Sequence, residues 1–556
     1  MPSRARIQER GAWPTGLAVA LSLFLLLQCL VMAYSTPAGA PPDEYAHLSY
    51  VDDVARGRLI PDYADGRIRG SDRGNYLAHP PLYYTIVGKI AGITGLDPFK
   101  NAKALRIPGA VFLAGGFLCW LLAARTARVP ALGGILATVA VCAIPMFSYV
   151  GGSVSNDTLL CFGVGLFAYG LTREWIAGLR DRRAAAAIIG GSAIVFLTKS
   201  TGAAFLVFLL LALLPWNRAA LAWLATPRQL KIAAAVAAIC GPYFVFSLLA
   251  YGSVMPRPEP LYQPSPPAEP LAPAAYLVRY VQAMWERLPI IMAHVNVRPF
   301  APYGALAMKA MLLLPLLVWG LSRPGARRRG IDPRLIRATD ALALATLATL
   351  LLHAAYTYTS YRTTGLMAGI QPRYFAFLLP ALWLPAFLLE RPGRLHAALL
   401  AAWIACAVAA FWTSVPFTLQ KQAAAAAAAK ERRNAPPPAK APAKKLDGHL
   451  DDLRLSPAGQ LHVRGWAFDT REGSTVARIA VFVDGSHLAD VQAGEPRPDV
   501  ARALGDPAAA GSGFSTVLEG TGAGARDCAV AVAAEADEGS VLWLRRASCG
   551  SQPRLP

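Results

Sequence analysis

Apolar runs separated by short polar connections fill the first three quarters of the chain. Runs of about 20 residues, enough to cross ~30 Å of hydrocarbon, fall near 13–34, 105–124, 129–150, 155–176, 231–251, 303–321, 338–360, 373–390 and 396–418. Two shorter runs, 184–198 and 201–215, read as a pair of thin or tilted helices. Leu82 to Ile93 is ambiguous by length alone: it fits either a span or a helix lying in the membrane interface. The distribution of arginine resolves it. If 82–93 stays on the outer surface, Arg4/Arg6/Arg10, Arg125/Arg128, Arg173 to Arg183, Arg218/Arg228, Arg323 to Arg337 and Arg391/Arg394 all fall on one side. If it crosses, all but the first group fall on the other. Short basic loops stay cytoplasmic, so the pattern predicts about eleven spans, a cytoplasmic N-terminus and an outer location for everything after Phe417.

This assignment leaves two long outer loops, 35–104 and 252–302. The second is dense in proline from Pro256 to Pro273, which predicts extended backbone followed by a short helix near Tyr276 to Arg287. In the first, Pro41-Pro42-Asp43-Glu44-Tyr45-Ala46-His47 follows the first span directly. Proline tolerates a first helical turn, so a helix is expected from Pro42 to Arg56, with Asp43 in its first turn and His47 on the same face.

Residues 420–445 turn into an alanine run and then Ala/Pro/Lys repetition, a tether between domains. Beyond it, period-two alternation in Leu461-His-Val-Arg-Gly-Trp-Ala-Phe and Val476-Ala-Arg-Ile-Ala-Val-Phe-Val, with turns at Asp484-Gly485 and Gly511-Ser-Gly, predicts a β-rich sandwich over 446–556. The expected architecture is a polytopic α-helical membrane domain, 1–419, carrying a C-terminal β-domain.

Composition agrees with this division. Of 556 residues, 55% are hydrophobic and only 16% charged, which excludes an ordinary soluble globule. The net charge of +20 belongs with cytoplasmic loops and lipid headgroups; no recognition motif points to nucleic acid. Cys29, Cys119, Cys142, Cys161, Cys240 and Cys406 lie in apolar runs and act as small hydrophobes, whereas Cys528 and Cys549 stand in the tail, where an oxidising compartment would let them pair.

Once the sides are assigned, polar groups that lipid would penalise gather on the outer face. Asp43, Glu44 and His47 follow span one; His79-Pro80-Pro81-Leu82-Tyr83-Tyr84 opens the interfacial helix; Arg106 starts the second span. Asn156-Asp157 opens another span, Lys199 sits at the turn between the short ones, and Gln371-Pro372-Arg373-Tyr374 begins a late one. Ionisable groups at membrane depth are costly and usually face a cavity and one another. Cations so placed suit a phosphate at headgroup level, and a nearby carboxylate suits proton abstraction from a hydroxyl.

These motifs, in this order and on this side, resemble the C-type membrane glycosyltransferases over 41–417. The chain is similar to the protein O-mannosyltransferases and the lipid A aminoarabinose transferase, and still more to a bacterial membrane family with a Pro-x-Asp-Glu-x-x-His motif. The resemblance implies inverting transfer of a sugar from a polyprenyl-phosphate donor to an envelope glycan, lipid or protein, on the outer face of the bacterial inner membrane with the C-terminal domain periplasmic. It implies Asp43 as general base and Arg106, Lys199 and Arg373 as ligands of the donor phosphate. Glu44, His47, His79, Tyr83, Asn156, Asp157 and Tyr374 would shape the pocket. His79 before Pro80-Pro81 and Leu82 after it depart from the transferase pattern and leave the sugar open. No cofactor is assigned, and a divalent metal, used by some relatives, stays open. The tail, with Gly465-Trp466-Ala467 and Arg497-Pro-Asp-Val500, resembles small β-modules attached to bacterial glycosyltransferases.

The competing readings are a transporter or flippase for lipid-linked sugars, a polymerase of another membrane fold, and a scaffold. Transport would call for polar groups at the midplane and an internal repeat, whereas here the charges bunch at one face.

Overall fold

The computed structural model describes residues 13–36, 43–59, 62–64, 67–69, 79–129, 131–213, 224–254, 270–288, 332–365, 367, 369–378, 401–409 and most of 446–548, with single positions at 222 and between 306 and 320. Expected features at Pro256 to Pro267, the tether 420–445, the turn at Asp484-Gly485, Cys528 and Cys549 lie outside them, as does most of the expected spans at 303–321, 373–390 and 396–418.

The helical part begins with α1 (Thr15–Ser35), α2 (Glu44–Ala55) and α3 (Leu82–Thr94), then α4 (Ile107–Thr126) after a single turn Ala102–Leu105. A two-stranded ribbon, β1 (Asp62–Ala64) and β2 (Arg67–Arg69), lies between α2 and α3. There follow α5 (Ala131–Ala143), α6 (Pro145–Gly151), α7 (Asn156–Leu171), α8 (Arg182–Phe196), α9 (Ser200–Leu213), α10 (Pro227–Tyr251), α11 (Pro273–Arg287) and α12 (Pro333–Thr364). Among the described residues, five helical stretches are long and apolar enough to cross a membrane: Thr15–Ser35, Ala102–Thr126, Asn156–Ile176, Pro227–Tyr251 and Pro333–Thr364.

Three departures from the sequence pattern share a cause in proline or in the backbone next to it. The expected span 129–150 breaks at Ile144, whose extended backbone precedes Pro145 at the first position of α6. Where a span was expected to start at 373, Pro372–Leu378 forms a 3-10 helix. The helix expected from Pro42 starts at Glu44, because Asp43 adopts a left-handed conformation (φ 58°, ψ 14°). Asp43 therefore precedes the first turn instead of lying in it.

Small residues bring the helices of the centre together. A Cβ on Gly165 of α7 would lie 2.3 Å from the Gly116 carbonyl oxygen of α4, and one on Gly116 would lie 2.6 Å from the Cys161 carbonyl oxygen. Neither position admits a side chain without separating the two helices. Close backbone approach of this kind replaces the hydrophobic drive that lipid does not supply between apolar helices.

The helix ends sort into two sets. At one end Arg125 donates to the Trp13 carbonyl, Arg228 grips Glu174 (Nε to Oε1 2.9 Å), Arg173 pairs with Asp181, and Arg334 reaches the Trp175 carbonyl at 3.4 Å. At the other, Thr36, Arg106, Asn156, Lys199 and Arg373 come together in the contacts set out below. The described arginines Arg125, Arg173, Arg228 and Arg334, which the sequence groups on one side, thus lie at one end, opposite the polar residues singled out as candidates.

The C-terminal part is a two-sheet sandwich. One sheet orders β10 (Val541–Ser548), β9 (Ala529–Glu535), β6 (Arg478–Val483) and β7 (Ser486–Val491); the other joins β3 (Leu446–Leu455), β4 (Leu461–Asp469) and β5 (Ser474–Thr475), with β8 (Gly513–Leu518) on the free side of β4. All pairings are antiparallel. Alternate residues of β4, Leu461, Val463 and Ala467, point inward against Ile479, Val481, Phe514 and Val532. A short helix α13 (Pro498–Leu504) covers Phe468 through Val500.

Candidate active site

The wall of the site is built first. Arg106, fully buried, forks onto Glu44 through Nε (2.7 Å to Oε1) and Nη2 (2.6 Å to Oε2). Its Nη1 donates to the carbonyls of Ala33 (2.8 Å) and Thr36 (2.7 Å) at the end of α1. Glu44 Oε1 also accepts from the Val154 amide at 3.1 Å, and the Tyr83 hydroxyl accepts from the Ser155 amide at 2.9 Å. Ser155 in turn caps α7 by accepting from the Asp157 amide. The end of α1, the start of α2, the start of α3 and the loop into α7 are therefore one hydrogen-bonded unit. The sequence suggests a phosphate-binding role for Arg106; the structure commits its guanidinium to Glu44 and two carbonyls inside that wall. Glu44 and Tyr83, expected in the pocket, are likewise wall residues.

Inside this frame stand two acid–base couples. Asp43 does not cap α2; its carboxylate receives a hydrogen bond from Arg373 Nη2, across 330 residues of sequence. Asp157, in the first turn of α7, pairs with Lys199 at 2.5 Å, and Asn156 Nδ2 reaches the Thr198 carbonyl at 3.4 Å, holding the turn that carries the lysine. The start of α3 is tied to the same turn, Leu82 N to Leu197 O at 3.0 Å. The Tyr374 ring joins the couples: Lys199 Nζ lies 4.9 Å and Arg373 Cζ 5.3 Å from its centroid, within cation–π range. Arg373 and Asp157 also line a small pocket whose other walls include Leu113, Phe147 and Phe377.

The two histidines face this group. His47 is buried, with Nδ1 2.8 Å from the Tyr84 hydroxyl. Burial lowers its pKa to about 4, outweighing the opposing pull of Asp43 and Asp157. His79 is pushed to about 3 by burial, then by Lys199. Both are neutral imidazoles near pH 7 and act as hydrogen-bonding groups there. A divalent metal does not fit the donor set: each aspartate is taken up by a cation, and among the described residues no group of three or more His, Cys, Asp or Glu could hold one.

Of the residues suggested by sequence, Asp43, His47, His79, Asp157, Lys199, Arg373 and Tyr374 meet, whereas Glu44, Tyr83 and Arg106 support them and Asn156 holds the lysine turn. Sequence reasoning gave no role to Tyr84, the partner of His47, and missed the residues packed around Tyr374. His353 of α12 meets the Tyr374 ring edge-on at 5.9 Å and bonds the Tyr280 hydroxyl of α11 at 2.9 Å. A histidine inside the apolar run 338–360 was the available signal.

No protein-family profile and no curated protein matches the chain. Two solved structures show a likeness to it. ArnT from Cupriavidus metallidurans in the apo state is 15% identical, over 67% of this chain and 77% of that one, with a TM-score of 0.34. ArnT from the same organism bound to undecaprenyl phosphate is 14% identical, over 63% and 80%, with a TM-score of 0.33.

Proposed function

We propose that the chain is an inverting glycosyltransferase that moves a sugar from a polyprenyl-phosphate donor to an envelope acceptor at the outer face of the bacterial inner membrane. The observation that carries this reading is the contact of Asp43 with Arg373 beside the Asp157–Lys199 couple, at the helix ends away from the arginine-rich connections. A carboxylate and two cations packed on one aromatic ring meet the needs of a displacement at an anomeric carbon. Asp43 accepts the proton of the acceptor hydroxyl as its oxygen bonds to the anomeric carbon. The bond from that carbon to the phosphate oxygen breaks, and polyprenyl phosphate leaves. The donor phosphodiester has one negative charge and the product phosphate two, so the added charge appears where Arg373 and Lys199 stand. A single displacement inverts the anomeric centre. Tyr374 packs against both cations, and the neutral His47 and His79 border the same group.

The test is transfer in vitro from a polyprenyl-phosphate sugar by the purified full chain, with mass spectrometry of envelope glycans to identify sugar and acceptor. Asp43→Asn is expected to fold and insert but to lose roughly 10²–10⁴-fold in turnover, the usual contribution of a general base. An Asp43→Asn protein that transfers sugar at the wild-type rate removes the assignment.

A further inference from the structure

The base assigned above is engaged by a cation. Asp43 gives its carboxylate to Arg373, and Arg373 also lines the small pocket beside Asp157. The same side chain thus has two anionic claimants. Arg373 from the 3-10 helix faces Asp43 directly and also acts on Asp157 of α7, whose own partner is Lys199 from the turn before α9. His47 of α2, His79 ahead of α3 and Tyr84 of α3 lie within electrostatic reach of Asp43. With both histidines neutral, two carboxylates balance two cations. A phosphodiester entering this balanced group brings one uncompensated negative charge, which a low-dielectric site does not tolerate without rearrangement or proton uptake.

We infer that Arg373 is an exchange residue: it holds Asp43 before the donor binds and passes to the donor phosphate on binding, so that Asp43 is released to deprotonate the acceptor only once the donor is seated. The guanidinium suits the transfer because a planar fork binds a phosphate through two parallel hydrogen bonds, and its Nη2 is a group that reaches Asp43. Tyr374 and the wall make the exchange a local one. The ring contacts Arg373 Cζ and Lys199 Nζ together, while α2 is anchored independently through Glu44 and Arg106. Asp43 also sits in a left-handed conformation outside the first helical turn, so reorienting its side chain disturbs no helical hydrogen bond. When Asp43 takes the acceptor proton, its negative charge passes to the leaving phosphate beside Arg373 and Lys199, so the step moves charge within the site without changing its total. The order of events follows from charge: donor first, acceptor proton second.

The inference rests on the glycosyl-transfer reading, and binding separates the two. Polyprenyl phosphate and the uncharged polyprenol are titrated against the full chain in lipid nanodiscs, for wild type, Asp43→Asn, Arg373→Gln and the double variant. Exchange predicts that Asp43→Asn binds polyprenyl phosphate roughly tenfold more tightly than wild type, since Arg373 no longer has to be taken from a carboxylate. It predicts that the gain vanishes in the Arg373→Gln background. If wild type binds the phosphate but Asp43→Asn binds it equally or more weakly, the exchange is overturned and the transferase reading stands. An equal gain with and without Arg373 is general charge repulsion and also overturns it. If wild type binds phosphate no better than polyprenol, the lipid-phosphate reading itself fails. Asp43→Ser removes the same charge and takes the place of the asparagine variant if that one does not fold.

Discussion

At the scale of residues, Asp43 and Glu44 are neighbours with opposite duties, and the backbone between them explains it. Glu44 opens α2 and turns into the wall, while the left-handed Asp43 turns its carboxylate toward Arg373. Sequence could place both acids, and the cations Arg106, Lys199 and Arg373, on one side of the membrane, because an ionisable group beside an apolar run has few places to go. It could not rank their depth, since burial of Arg106 depends on the carbonyls of Ala33 and Thr36, which any helix end offers. The Asp157–Lys199 pairing was hidden for a similar reason: 42 residues separate the partners, and only the packing of α7 beside the α8–α9 turn brings them together. The division between wall and pocket makes a distinction that can be measured. Arg106→Ala leaves a buried Glu44 carboxylate without its partner, and loss of one member of such a pair costs about 3–5 kcal/mol. The expected outcome is a marked fall in the thermal midpoint and in folded yield in detergent. Arg373→Gln, at the edge of a cavity, should leave the midpoint within a few degrees of wild type while removing transfer. Equal melting of the two variants would place Arg106 in the pocket after all.

Among the elements, hydrophobic periodicity located most helices within a few residues. The stretch expected near 155–176 appears as Asn156–Ile176, 231–251 as Pro227–Tyr251, and the short helix near Tyr276 as Pro273–Arg287. Run length carries no information on breaks inside a run, which is why 129–150 reads as one span and folds as two helices around Ile144 and Pro145. Nor does hydrophobicity say which faces touch, because an apolar helix in lipid is apolar all round; glycine spacing carries that information. Gly165 and Gly116 set the separation of α4 and α7, and α4 carries Leu113 into the cavity that α7 lines with Asp157 and Cys161. Gly165→Ala, which would put a methyl group 2.3 Å from the Gly116 oxygen, is expected to destabilise the protein by about 1–3 kcal/mol through overpacking. Gly190→Ala, on the neighbouring α8 with its nearest contact at 3.6 Å, serves as the matched control and should melt with wild type. The comparison reads out in a thermal-shift assay of both variants in the same detergent.

For the molecule as a whole, the change of periodicity from helix to strand after the Ala/Pro/Lys stretch marks a physical boundary. The hydrophobic clusters of the helical part draw on residues 13–407, and those of the sandwich on 446–544, with no residue in common. Each part therefore has its own source of cooperativity. The sandwich is near 100 residues, a size at which a single core sustains a fold without disulfides or metal. Inside it, Arg497 bridges Asp451 and Asp499, which fastens the start of α13 to β3 at the surface and adds little to stability there. No assembly of candidate groups like that around Asp43 occurs among its described residues. Two outcomes follow from the separation of cores. Residues 446–556 expressed alone should be soluble and unfold in one cooperative transition. A chain ending at 445 should insert, keep the wild-type thermal midpoint within a few degrees and transfer sugar to a small soluble acceptor at the wild-type rate, while its affinity for the full-length envelope acceptor falls. A truncated chain that fails to fold would mean that the sandwich completes the core of the helical part; one that folds and binds the full acceptor unchanged would remove the sandwich from substrate recognition.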